Sequence, residues 1–333
     1  MILVTGGTGL VGAHLLYRLV SEKNKVRAIY RTEEKQAHTK NVFSLYSEHY
    51  EALFHSIEWI QADILDIPTM TEVFKDITQV YHCAALVSFD PNKHQLLRQV
   101  NIEGTANLVN LSLSNTIEKF CYVSSVATLG STLNHAPITE ETIWNPEDDN
   151  NDYAITKYGA EMEVWRGTQE GLDAVIVNPG VILGAGFWDS GSGKLFQKAK
   201  KGFKFYPAGT VALVDVQDVV SIMVELVNSS IKNERFILVS ENLKYETFLR
   251  SLAKAVNSEP PKILATKSLL SIAWRLDWIK NKLTGKERQL TKNLSKSLDS
   301  ITDYRNDKIK TALNYKFKAV DQSIVEIGTI YLK

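Results

Sequence analysis

The chain has 333 residues, 44% of them hydrophobic and 23% charged, enough for one large or two modest globular units with real cores. Its 38 basic residues balance 38 acidic ones, so the overall charge points to neither a nucleic-acid partner nor an anionic membrane. The two cysteines, Cys83 and Cys121, lie in apolar strand-like runs at no metal-ligand spacing, and they read as reduced core thiols in a protein without a metal.

The first strand, at 2–4, opens the chain directly, without the basic region and apolar stretch of a signal peptide, so a cytoplasmic location is the expectation. Thr5-Gly6-Gly7-Thr8-Gly9-Leu10-Val11-Gly12 follows it and leads into a helix at 10–22. The string fits G-x-x-G-x-x-G (Gly6, Gly9, Gly12) or G-x-G-x-x-G (Gly7, Gly9, Gly12). Such glycines allow a tight turn and let a pyrophosphate approach the backbone, and the helix N-terminus offers that anion unpaired N–H groups. The strand–turn–helix context marks a dinucleotide site.

The second strand, at 25–30, ends in Ile29-Tyr30-Arg31-Thr32. An NAD site usually has an acidic residue there for the ribose 2′-hydroxyl. Arg31, with Lys35 behind it, suits a 2′-phosphate instead, so NADP(H) is favoured; Glu33 and Glu34 keep NAD(H) open. A looser helical segment at 33–48 leads to a strand at 57–61, a helix at 69–75, a strand at 79–83, a helix at 94–113, and a strand at 119–124. A helix at 153–169 and a strand at 174–178 complete the alternation. It predicts an α/β fold, a doubly wound Rossmann-type parallel sheet over residues 1–178.

Beyond Asn178 the rhythm changes to loops rich in Gly, Pro and aromatics at 180–193 and 203–209, then to a mainly helical stretch. We read 179–333 as a smaller substrate lobe over the carboxyl ends of the strands, with some return of the chain to the first domain around 211–228. The longest uncharged, largely apolar run, 174–188, is broken by Pro179, Gly180, Gly184 and Gly186 and falls short of the ~18 residues a membrane span needs. The amphipathic segment 269–283, with Trp274 and Trp278, reads as a core or substrate-covering helix in preference to a membrane-surface one. Lys286, Arg288, Lys292 and Lys296 then form a solvated basic tail.

Tyr153 and Lys157 stand four residues apart on the predicted helix and so share a face. A tyrosine titrates near ~10; a cationic lysine one turn away, helped by oxidised nicotinamide, should favour the phenolate and bring the group closer to a useful acid/base range. The fifth strand ends in Ser124-Ser125 at the same edge of the sheet, offering a hydroxyl to a substrate oxygen.

With these motifs the chain resembles the extended short-chain dehydrogenase/reductases, also called the NAD-dependent epimerase/dehydratase family. Within that group it is most similar to the dihydroflavonol-4-reductase-like branch. The resemblance matches the family's glycine turn to Gly6, Gly9 and Gly12 and its catalytic triad to Ser125, Tyr153 and Lys157. It implies that Asp63, followed by Ile64, meets the adenine, and that Ala84 and Ala85 lie against the cofactor. By the same resemblance Asn101 braces the site, and Asn178, Pro179 and Val181 turn over the nicotinamide.

The function expected is NADP(H)-dependent reduction of a small-molecule ketone or aldehyde, or oxidation of the alcohol. The rivals are a nucleotide-sugar epimerase or dehydratase with tightly held NAD, and a non-catalytic NADP-binding sensor or scaffold. The substrate lining expected is Val87, Phe89, Leu129, Val181, Phe187 and Trp188. A homodimer is compatible with all three readings.

Overall fold

The computed structural model describes residues 1–132, 136–285, 288 and 290–333. Lys286, the first residue of the basic tail, lies outside them. Seven parallel strands form the central sheet: β1 (Ile2–Thr5), β2 (Val26–Tyr30), β3 (Glu58–Gln61), β4 (Gln79–His82), β5 (Lys119–Val123), β6 (Ala174–Pro179) and β7 (Glu234–Leu238). Their spatial order is β7-β6-β5-β4-β1-β2-β3. The chain winds outward through β2 and β3, then returns past β1 to build the other half. The order therefore reverses between β1 and β4, where open α/β sheets leave a crevice at the carboxyl ends.

Both faces of the inner sheet are covered, which is why β1 and β6 read as nearly continuous apolar runs, while the edge strands β3 and β7 carry charged residues. Alternate residues serve opposite cores. Ile2, Val4, Cys121, Val175 and Val177 join the helices Leu10–Ser21 and Val216–Val227 on one side. Leu3, Phe120, Tyr122, Ala174 and Ile176 meet the helices Ile67–Val73, Gly104–Ser114 and Asp152–Gln169 on the other. This is the doubly wound arrangement expected.

Three details differ from the sequence reading. The segment 33–48 divides into a 3-10 turn, Glu33–Lys35, and a helix, Gln36–Ser44, followed by a further helix, Tyr50–His55. The helix at 94–113 is interrupted by a π-helical turn, Arg98–Glu103, which holds Asn101. The strand β7 lies outside the first 178 residues yet extends the sheet beside β6.

The C-terminal region is mainly helical, with a small three-stranded sheet (Val181–Leu183, Thr210–Asp215, Glu241–Lys244) and a two-stranded one (Phe205–Pro207, Ile263–Ala265), and has a third core around Phe196, Leu213, Phe248, Leu252 and Ile324. The segment 269–283 belongs to the helix Lys267–Thr284, of which Leu270 alone is fully buried. It is not a core helix. No helix among the described residues is long and apolar enough to cross a membrane.

Candidate active site

The glycine turn sits at the reversal point of the sheet. Gly6 adopts φ +70°, and a β-carbon there would lie 2.6 Å from the Ala84 nitrogen. One on Gly12 would lie 2.2 Å from the Gly6 carbonyl oxygen, so helix and turn pack at a distance only glycine permits. Gly9 opens the helix Leu10–Ser21 without a side-chain cap, and its open side meets nothing closer than the Gly6 oxygen at 3.4 Å. The first N–H groups of that helix thus face an uncrowded crevice, which fits a pyrophosphate. Thr5 and Gly7 are buried, Thr8, Leu10 and Val11 partly so.

Arg31 and Lys35 stand exposed at the end of β2 and in the turn after it. Neither forms an ion pair among the described residues, and neither Glu33 nor Glu34 ties them down. Just past β3, Asp63 caps its own turn by accepting from the Leu65 N–H at 3.0 Å, and Ile64 is buried against Gly104. Ala84 is partly exposed and Ala85 exposed just beyond β4.

A buried polar chain links this edge to the π-helical turn. The Ala84 N–H donates to Thr5 Oγ1 at 3.3 Å, and Thr5 Oγ1 lies 2.7 Å from His82 Nδ1. His82 Nε2 lies 2.9 Å from Thr105 Oγ1, whose hydroxyl donates to the Asn101 carbonyl at 2.6 Å. With the Thr105 hydrogen so used, Nε2 carries the imidazole proton and Nδ1 accepts from Thr5. Burial lowers His82 to about 3, and the ring is neutral. The Asn101 amide accepts from the Leu86 N–H at 2.8 Å and donates to Leu86 O and Thr156 Oγ1, both at 3.1 Å. It braces the loop after β4 against the helix that carries Tyr153.

That helix, Asp152–Gln169, starts where Asn151 accepts from the Ala154 N–H at 2.9 Å, and Tyr153 falls in its first turn. Ser125 caps the 3-10 turn Val126–Thr128, its oxygen accepting from the Ala127 N–H at 3.1 Å. Its hydroxyl hydrogen is not used in that bond, and Ser125 acts on the neighbouring Tyr153 phenol to favour its ionised form. Burial acts in the opposite direction, more strongly, and raises the phenol above its ordinary value. Tyr153 is therefore a neutral phenol.

Lys157, 1% exposed, donates to Tyr122 Oη at 2.6 Å and to the Val123 carbonyl at 2.8 Å. Desolvation lowers its amine to about 7, opposed by the charge of Glu161. Burial is the largest influence on the Tyr153 phenol, while the Lys157 amine is bonded to Tyr122 and Val123.

One functional-looking residue escaped the sequence reading. Glu161, fully buried, accepts through Oε2 from Ser124 (2.6 Å), Thr128 (2.7 Å) and Asn178 (2.9 Å), and through Oε1 from Arg235 (3.0 Å). Arg235 comes from β7 and also donates to the Glu140 carbonyl at 2.9 Å. Asn178 donates as well to the Ser125 carbonyl at 3.2 Å. One carboxylate thereby fixes both ends of the segment that presents Ser125. Its signal was present: Glu161 lies four residues after Lys157, one further turn along the helix.

On the substrate side, Val87, Phe89 and Val181 are exposed, and the Phe89 ring packs 5.7 Å from that of Tyr153. Pro179 is buried at the end of β6. Three expected lining residues are packed elsewhere. Leu129 joins a small core with Ile138 and Ile237, Phe187 packs on Ala13 and Val42, and Trp188 packs on Phe196 and Tyr331. A cavity of about 750 Å³ lies further out, between Ser131–Thr132 and the two helices Lys267–Thr284 and Lys292–Asp299. None of Ser125, Tyr153 or Lys157 lines it. No group of His, Cys, Asp or Glu among the described residues is placed to hold a metal ion.

The geometry agrees with comparison to known proteins. The family model of the NAD dependent epimerase/dehydratase family matches residues 2–238. The chain belongs to this family. Relatives include the sterol demethylase protein B of Methylococcus capsulatus, 26% identical over 272 residues covering 80% of this chain and 78% of that one. The cinnamoyl-CoA reductase 1 of Oryza sativa is 26% identical over 265 residues, 76% of this chain and 75% of the other. The solved structure of gox2253 superposes with a TM-score of 0.80 at 24% identity, covering 100% of this chain and 97% of that one, a likeness of fold. As a member of the epimerase/dehydratase family the chain is an NAD(P)-dependent enzyme of the oxidoreductase/epimerase type.

Proposed function

We propose that this protein is an NADP(H)-dependent reductase of a small ketone or aldehyde, with Ser125, Tyr153 and Lys157 as its catalytic residues. The observation that supports this most is the placement of Ser125, in the turn after β5, and Tyr153, in the first turn of its helix, at the sheet edge beside the glycine turn. A protonated phenol is ready to give its proton to a carbonyl oxygen, so the site is set for reduction. The turn Thr5 to Gly12 would hold the pyrophosphate, Arg31 and Lys35 a 2′-phosphate, and Asp63 with Ile64 the adenine. Ala84, Ala85, Asn101, Asn178, Pro179 and Val181 would border the nicotinamide end. The nicotinamide supplies the hydride.

The residues do the rest. Ser125 orients the carbonyl oxygen and donates a hydrogen bond as its charge develops. Tyr153 transfers its proton to that oxygen. Lys157, held from below by Tyr122 and Val123, binds the nicotinamide ribose and stabilises the phenolate left behind. Val87, Phe89 and Val181 offer the substrate an apolar, uncharged border.

The test is turnover of NADPH against a panel of ketones and aldehydes. Net consumption, one NADPH per alcohol formed, is expected, and Tyr153→Phe should lower turnover on the order of 10²–10⁴-fold while NADPH affinity is kept. Cofactor that stays bound without net consumption, while a nucleotide sugar is isomerised, would replace this reading with the epimerase one. Wild-type turnover in Tyr153→Phe would remove the tyrosine from the mechanism.

A further inference from the structure

The outward face of the helix Lys267–Thr284 is apolar and uncovered. At about 3.6 residues per turn, Ile272, Leu276, Ile279 and Leu283 fall into one stripe along its length. They are 56%, 60%, 46% and 81% exposed. The opposite face carries Leu270 and Trp274, which line the outer cavity, and Asp277, which accepts from the Leu290 N–H at 3.1 Å. The helix is thus seated by its other side, and the stripe faces solvent. Trp278, 47% exposed, lies beyond the stripe with the Lys282 ammonium over its ring, and the strand leading into the helix, Ile263–Ala265, adds exposed Ile263 and Leu264.

Charge flanks the stripe on both sides. Arg275 and Lys282 border one edge and Lys280 the other; all three are exposed, and none forms an ion pair among the described residues. Between residues 262 and 296 the sequence has nine basic residues and two acidic ones, within a chain whose net charge is zero. The overall balance conceals a strongly cationic segment.

We infer that this helix is a peripheral docking surface for an anionic lipid bilayer. An apolar stripe edged by cations lies in the plane of a membrane interface, the side chains entering the headgroup–acyl boundary by roughly 5–10 Å and the cations meeting lipid phosphates. A second copy of this chain is the poorer occupant, because a two-fold contact would set the same cationic edges against each other without acidic partners. The inference stands on the helix alone and does not depend on the reaction assigned to the active site.

The experiment is vesicle flotation of the full-length protein. One set of vesicles is phosphatidylcholine and the other equal parts phosphatidylcholine and phosphatidylglycerol. The wild type should float with the anionic vesicles and stay largely in solution with the neutral ones. The triple variant Arg275→Gln, Lys280→Gln, Lys282→Gln should bind the anionic vesicles on the order of 100-fold more weakly. The pair Leu276→Gln and Ile279→Gln should weaken binding to a similar extent. All five positions are exposed, so each variant should keep the wild-type melting temperature. The inference is overturned if the wild type does not float with anionic vesicles, or binds both kinds equally. It is also overturned if Leu276→Gln with Ile279→Gln abolishes a dimer and leaves vesicle binding unchanged.

Discussion

Replacing Lys157 with methionine should make stability respond differently to pH, and the size of the effect follows from where the amine lies. The side chain is 1% exposed, and desolvation lowers its pKa from 10.5 to about 7. In the unfolded chain the amine keeps its proton up to about 10.5, in the native fold only up to about 7. Between these values the unfolded state binds the extra proton, so the native state is penalised at low pH and relieved as pH rises. Integrated from about pH 6 to about pH 8.5, the relief comes to about 2 kcal/mol.

Lys157→Met removes this titration and leaves every other group in place. It also leaves the Tyr122 hydroxyl and Val123 carbonyl without their donor, a cost of about 1–3 kcal/mol each that is constant over the window. Urea unfolding of both proteins across that range separates the two effects. Wild-type stability should gain about 2 kcal/mol on the variant between the two ends, the gain concentrated above pH 7. A difference between the proteins that stays flat with pH would show that the amine titrates normally, and the desolvation argument would fail.

Arg31→Asp should reverse the cofactor order: loss of a charge-assisted hydrogen bond worth about 1.5–3 kcal/mol takes a 10- to 100-fold preference for NADPH over NADH with it, as paired titrations at low and high salt would show. Equal affinities in the wild type would mean that Arg31 meets no phosphate. Gly12→Ala should abolish dinucleotide binding in calorimetry, because the new carbon would sit 2.2 Å from the Gly6 oxygen; retained affinity would show that the turn yields. Glu161→Ala should destabilise the fold by about 3–5 kcal/mol, since it strips the partner from the Arg235 guanidinium. A loss below about 1 kcal/mol in chemical unfolding would mark the pair as solvated.

The first six strands were legible because each carries a short apolar or aromatic run between helical stretches, even the edge strand β3, whose ends Glu58 and Gln61 are exposed. The seventh, β7, was not: its sequence Glu-Arg-Phe-Ile-Leu begins with two charges, and Arg235 is spent on Glu161 and Glu140. The glycine turn and the four-residue spacing of Tyr153 and Lys157 could be read because each is local. The direction of the Lys157 amine could not, since it depends on Tyr122 and Val123 from a strand more than thirty residues away. The helix Lys267–Thr284 misled for another reason. It carries two apolar stripes, Leu270 with Trp274 and Ile272 with Leu276, Ile279 and Leu283, and periodicity alone does not say which faces inward.

The two halves of the site are held by separate buried networks, and this separation can be tested by how each half fails. Thr5, His82, Thr105 and Asn101 form a neutral chain from the glycine-turn strand to the π-helical turn. Glu161, Arg235, Asn178, Ser124 and Thr128 form a charged one around the segment that presents Ser125. No residue belongs to both. Damage to the glycine turn should therefore abolish dinucleotide binding and leave the ionisation of Tyr153 as it is. Damage to Glu161 should release Ser125, weaken its influence on Tyr153, and let burial raise the phenol further. In a Glu161→Gln variant that still folds, spectrophotometric titration of Tyr153 against the Tyr153→Phe background should show that upward movement, with dinucleotide affinity near that of the wild type. A phenol that moves down, or an affinity that collapses with it, would show one network where two are drawn.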